Sequence, residues 1–165
     1  QALFIEHYHR LMAQKLGFAQ PDETVLHLLD ELLAQMHASR TDYTLLFRAL
    51  GAVARDGNED TLALRDWFVD RERFDRWLDG YRAHLRASAR DDAARRPAML
   101  ATNPKYVLRN YLAQVAIEKA EHGDYAEIER LLTVLRAPFE EHPQLAHYAE
   151  PPPEWADNIQ VSCSS

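Results

Sequence analysis

DETVLHLLDELLAQMHA, residues 22–38, decides the fold class. Val25, Leu26, Leu29, Leu32, Leu33 and Met36 recur every three or four positions, which sets them on one stripe of a helix. Asp22, directly after Pro21, supplies a carboxylate that can accept from the open amides of the first turn. No segment of useful length in the chain alternates apolar and polar residues with period two, so the rest must be read as helix or loop.

Working outward, residues 2–16 carry Phe4, Ile5, Tyr8, Leu11 and Met12 at helical spacing, with Gly17 where a left-handed cap would end the helix. Thr41 or Asp42 can cap a third helix through Leu45, Leu46, Ala49 and Leu50, which runs out before Gly57-Asn58. Leu62, Leu64, Trp67 and Phe68 suggest a short element. From Arg71 to about Arg90, Phe74, Trp77, Leu78, Tyr81 and Leu85 form the apolar face of a long helix.

Asn103-Pro104 reads as a helix start, with Asn103 as cap and Pro104 in the first turn, and Tyr106 to Ile117 as an apolar face ending at Gly123. Asp124 then caps a further helix through Ile128, Leu131, Leu132 and Leu135, stopped by Pro138. Beyond it Pro143 and Pro151-Pro152-Pro153 favour extended backbone, while Phe139, Leu145, Tyr148, Trp155, Ile159 and Val161 are more apolar residues than a solvated linker needs. The expected fold is all-α: an irregular bundle of about six or seven helices over residues 1–138, with an extended Pro-rich strap over residues 139–165 lying on its surface.

The 165 residues suit one domain with its own core, and 47% hydrophobic with 27% charged residues is the composition of a globular chain. A formal charge of −7 repels phosphate backbones, so no nucleic-acid partner is expected. No apolar run is long enough to span a bilayer and no secretory leader opens the chain, so we expect no membrane partner. The single cysteine, Cys163, cannot build a disulfide framework, which fits a reducing cytoplasm. Gln1 is neither an initiator methionine nor a capping residue, and we expect sequence before it.

Glycine-rich phosphate loops and nucleophile elbows are missing from the sequence. His7 and His9 face different ways on a helix, and His142 and His147 straddle Pro143 without carboxylates at ligand spacing, so no metal site is expected. The arginines between Arg71 and Arg96 alternate with Asp70, Glu72, Asp75, Asp79, Asp91 and Asp92, which reads as a solvated face laced by ion pairs. Trp67, Phe68 and Trp77 read as core, with each indole N–H needing a partner.

The densest stretch is Asn103-Pro104-Lys105-Tyr106-Val107-Leu108-Arg109-Asn110-Tyr111-Leu112. It resembles the Asn-Pro-Lys-Tyr-(Ile/Val)-Leu-Arg-Asn block near the C-terminus of the selenoprotein O family. The likeness continues through Ala113 to Ala120, Gly123-Asp124-Tyr125, Pro138-Phe139, His147-Tyr148, Pro152-Pro153-Glu154-Trp155-Ala156 and the ending Val161-Ser162-Cys163-Ser164-Ser165. Thr41-Asp42-Tyr43-Thr44 and Phe47-Arg48 are the better matches in the first hundred residues.

The resemblance implies kinase-like pseudokinase enzymes that use metal-bound ATP, with Mg or Mn, to transfer AMP to protein hydroxyl side chains. Their catalytic residues lie upstream of anything corresponding to this chain, so it implies no catalytic, cofactor or metal residue here and no activity in this piece alone. Arg109-Asn110 imitates a kinase catalytic loop only superficially, because no aspartate stands beside it and the block is expected on a helix. Cys163 takes the position where animal members carry selenocysteine, which implies a cysteine-using, bacterial-type member and a redox-regulatory thiol. The implied partners are the missing kinase-like portion of the same protein and the protein substrates of the whole. The competing expectation is a self-sufficient helical adaptor without enzymatic activity, and sequence preceding Gln1 would separate the two.

Overall fold

The computed structural model describes residues 2–57 and 61–156, and among them it is helical with no strand. The chain folds as two compact units, Gln1–Asn103 and Pro104–Ser165. In the first, α1 (Ala2–Lys15), α2 (Glu23–Ser39), α3 (Tyr43–Ala49), α4 (Leu62–Arg65), α5 (Arg71–Ala87) and α6 (Asp92–Thr102) surround one core, with a 3-10 turn at Leu50–Ala52. In the second, α7 (Asn110–Glu121) and α8 (Ala126–Arg136) form a hairpin, followed by 3-10 turns at Pro143–Ala149 and Glu154–Ala156.

Local chemistry starts and stops most of these helices. Asp22 and Asp42 accept from Val25 N at 2.8 Å and Leu45 N at 2.9 Å, so Asp42 rather than Thr41 is the cap of α3. Asp70 and Asp91 do the same for α5 and α6. Gly17 follows α1 at φ +91°, and a Cβ there would meet Met99 Sδ at 2.8 Å and Arg95 Cδ at 2.9 Å. Both the backbone conformation and the space therefore require glycine. Gly123, at φ +81°, closes α7 by donating to Ala120 O at 2.9 Å.

The core of the first unit is built on an aromatic ladder. Phe68 stacks on Phe74 at 4.1 Å between centroids, Phe74 on Trp77 at 5.6 Å, and Trp77 on Tyr81 at 5.1 Å. Residues 74, 77 and 81 share a face of α5 because three and four positions are one helical turn. The indole of Trp77 donates to Leu28 O at 2.8 Å, satisfying the polar handle that a buried tryptophan must place. Trp67, expected in the core, is instead more than a third exposed.

Two segments differ from the sequence expectation. Residues 92–102 form α6, a helix absent from the sequence expectation; its sequence, DAARRPAMLAT, holds Pro97. Its buried contacts come from Arg95 and Met99. Residues 104–109 are not helical, although Asn103-Pro104 reads as a helix start. Asn103 instead closes α6, and Lys105 N and Tyr106 N both donate to Pro138 O, at 2.7 and 3.2 Å. The Pro138 carbonyl thus holds the chain at Lys105 and Tyr106, and α7 begins only at Asn110.

The Pro-rich strap carries short turns where its apolar residues seat. Tyr148 and Ala149 are buried within the second unit beside Tyr106, Leu112, Ala116, Leu131 and Val134. The ring of Tyr111 meets Trp155 edge-on at 5.9 Å between centroids.

Candidate functional site

Three arginines that read as solvated in the sequence converge on one irregular segment. Residues 53–57 have no helix or sheet to satisfy their carbonyls, and buried unpaired carbonyls are costly. Arg95, on α6, donates to Val53 O; Arg82, on α5, to Ala54 O at 3.2 Å; and Arg86, also on α5, to Arg55 O at 2.9 Å. Three successive carbonyls are thus held by three guanidinium groups. The expectation of a purely solvated face fails at Arg82, 6% exposed, and at Arg95, 1% exposed. Both are buried because their long side chains carry donors from the helix axis to that segment.

Arg95 has further partners. Its Nε and Nη2 lie 3.1 and 2.9 Å from Asp92 Oδ1, and its Nη1 reaches Tyr81 OH at 3.3 Å. Burial alone would raise the Asp92 carboxyl, but the amide of Arg55 and the charge and hydrogen bonds of Arg95 outweigh it and hold the group below its ordinary value. Burial drives the Tyr81 hydroxyl up to about 12, only partly offset by Arg95, so it is a neutral donor to Leu16 O at 2.8 Å.

A second cluster closes the other end of α6. Arg48 Nη1 donates to Leu100 O at 2.9 Å and to Asn103 O at 2.8 Å. Lys15 Nζ sits 5.4 and 5.6 Å from the ring centroids of Tyr43 and Phe47, and burial lowers its pKa. In the second unit Lys105 pairs with Glu141, and Tyr106 OH accepts from His142 N at 3.2 Å. Glu127 accepts from Lys119 Nζ at 2.7 Å, from Arg130 Nη1 at 3.3 Å and from Tyr148 OH. Burial opposes its ionisation, yet Lys119, Tyr148 and Arg130 together hold it below the usual glutamate value.

These arrangements fix backbone and pair charge. A recess of about 710 Å³ lies at the turn between α4 and α5. Its cations face carboxylates: Arg65 lies 2.9 Å from Asp75 and Arg71 lies 3.0 Å from Asp66. The α5 N-terminus, which could have met a phosphate, is filled by the Asp70 carboxylate at 2.9 Å from Arg73 N. Among the described residues no group of three or more His, Cys, Asp or Glu side chains is placed to hold a metal ion. Arg109 immediately precedes α7 and Asn110 opens it, which corrects the expectation that the pair lies within a helix. Cys163, the single site residue expected from the sequence, lies outside the described residues. Sequence reading missed Arg82, Arg95 and Lys15. Arg95 has Asp92 and Met99 within four positions, but Tyr81, Val53, Ala54 and Asn103, the partners that draw these cations inward, stand 14 to 88 positions away and leave no local signal.

Comparison with known proteins gives these clusters a setting. The family model described as protein adenylyltransferase SelO matches residues 1–136. Three curated proteins called protein nucleotidyltransferase YdiU align over 156 residues, 94% of this chain: those of Burkholderia thailandensis at 51% identity, and of Burkholderia orbicola and Burkholderia multivorans at 49%. The chain spans about 30% of the length of these relatives. With a family match over most of its residues, arranged around an all-helical core, the chain belongs to the SelO family of protein adenylyltransferases.

Proposed function

We propose that this chain is the noncatalytic helical portion of a SelO-type pseudokinase that moves AMP from ATP onto hydroxyl side chains of proteins. The observation that carries the reading is the family match on a chain spanning about 30% of its relatives' length. In this reading the ATP, its Mg or Mn ion and the reacting groups belong to the kinase-like portion outside this chain. The helical units serve it as a scaffold. The whole protein works in the cytoplasm, with other proteins as substrates.

The test is transfer of label from ATP carrying α-³²P, with Mg or Mn and a generic protein acceptor, by this chain and by the family-length protein that carries it. Transfer by the long protein alone is the expected result. Reproducible transfer by this chain after repurification overturns the scaffold reading, and no transfer by either overturns the enzymatic one.

Cys163 is the redox thiol of the proposal, and a disulfide to a cysteine outside this chain restrains the active site. Closing the bridge removes two electrons and two protons from two thiols, which oxidised glutathione can take up by exchange. Dithiothreitol returns them. Reduction, or Cys163→Ser, should raise the adenylylation rate of the long protein, and peptide mapping of its oxidised form should find a Cys163 crosslink. Equal rates in every condition with no crosslink would leave Cys163 an idle surface thiol.

A further inference from the structure

Helix α1 is apolar around more than half its circumference, and only part of that arc meets its own core. At about 100° per residue, Met12, Ala13 and Leu16 project to one side, where they are buried against the rest of the first unit. Phe4, Tyr8 and Leu11 fall on the flank beside them, with Leu3 beyond, and all four are exposed, Leu3 at 80% and Phe4 at 74%. Ile5, on the buried side of the wheel, is also left nearly half exposed, because the first two turns run past the core. A groove of about 400 Å³ lies along this end, lined by Leu3, Phe4, Glu6, His7 and Arg10. A helix facing a single core needs one stripe; α1 has two.

The size of the second stripe decides what covers it. Leu3 to Leu11 runs only about 12 Å along the axis, and these side chains could bury on the order of a few hundred Å² per copy. A stable complex of separate molecules needs about 1,200–2,000 Å² in total. Two copies would also bring together formal charges of −7 each. A covalently linked segment needs far less area, because tethering gives it an effective concentration in the millimolar range. About 70% of the relatives' length has no counterpart in this chain, the remainder of the 30% that is matched.

From these observations we infer that the Leu3–Phe4–Tyr8–Leu11 flank of α1 is an intramolecular docking surface, covered by the part of the family-length protein that lies outside this chain. The inference rests on the proposed scaffold role and names the surface through which it acts. The covering segment presents an apolar face, and α1 lies at the junction between scaffold and catalytic portion.

Hydrogen exchange read by mass spectrometry on the α1 peptide tests this, in this chain and in the family-length protein. The expected result is exchange of the residue 4–11 amides slowed at least tenfold in the long protein. Phe4→Asp should leave the melting temperature of this chain unchanged, since Phe4 is exposed in it. The same change should lower the melting temperature of the long protein and return its α1 exchange to the fast rate. Equal α1 exchange in the two wild-type proteins overturns the inference, as does a dimer of this chain that Phe4→Asp dissociates. Label transfer from ATP is read separately: protection of α1 in a long protein that transfers no AMP leaves the docking surface standing and removes the enzymatic reading, and transfer without protection does the reverse.

Discussion

The carboxamide of Asn103 holds both ends of Lys15: its Nδ2 donates to the Lys15 carbonyl at 3.0 Å, and its Oδ1 accepts from the Lys15 ammonium at 3.1 Å. One side chain at the end of α6 therefore caps the last turn of α1 and anchors its cation beside two aromatic rings. Asn103→Ala leaves the carbonyl and a half-buried ammonium without that partner, and should cost about 2–3 kcal/mol. Urea denaturation of the variant checks it. Asn103→Asp keeps the acceptor but not the donor, and should fall between the two.

Tyr81 sets an alkaline limit on the first unit. Its folded pKa of about 12 lies above the ordinary 10, so its contribution is complete below pH 10 and is lost as pH rises toward 12. The loss should reach about 2–3 kcal/mol. Lys15 acts with the opposite sign, because its lowered pKa makes stability rise with pH until its ordinary value near 10.5 is passed. Above pH 10.5 Lys15 no longer opposes the tyrosine, but Tyr43, Tyr111 and Tyr148 are raised as well, so the share of Tyr81 is read as the difference between wild type and Tyr81→Phe. Tyr81→Phe should be less stable at pH 8, having lost the bond to Leu16 O, and flatter across that alkaline window.

Glu127 governs the acid side of the second unit. Its folded pKa is below the ordinary 4.5, so the stability it contributes is present above that value and disappears as pH falls through the folded one. Glu127→Gln should cost about 1–3 kcal/mol at pH 7 by leaving Lys119 and Arg130 without their carboxylate. The difference from wild type should vanish at low pH. Circular dichroism melts from pH 2 to 7 follow both. A gap that persists unchanged at pH 2 would place the effect in packing instead of charge.

Gln35, on α2, is buried with both amide atoms lacking a partner. An unpaired buried polar group costs about 1–3 kcal/mol, and leucine fills a similar volume without one. Gln35→Leu should therefore raise the denaturation midpoint. A lowered midpoint would mean that the amide is hydrogen-bonded in solution.

Helix type and most helix ends were legible because their causes are local. Asp22 lies three residues from the amide it accepts from, Gly17 stands two residues past the end of the helix it closes, and the α5 ladder repeats within single turns. The likeness around residues 103–112 was legible too, and it located the family without revealing what the block does. The sequence of Asn103-Pro104 could not show that Asn103 ends α6 or that the amides of Lys105 and Tyr106 meet the carbonyl of Pro138, more than thirty residues on.

By itself, then, the amino-acid pattern determined the all-helical class, the caps at Asp22 and Asp42, and the family, since periodicity and capping act over three or four residues. Tertiary structure decided that Arg82, Arg86 and Arg95 hold the carbonyls of residues 53–55, across 28 to 42 positions. It also decided that α1 buries one apolar flank and leaves the other uncovered. An arginine on a charged helix has the same sequence signature whether it meets water or a distant carbonyl, and an apolar stripe the same whether its core lies inside this chain or beyond it. Only the folded positions of the partners separate those cases.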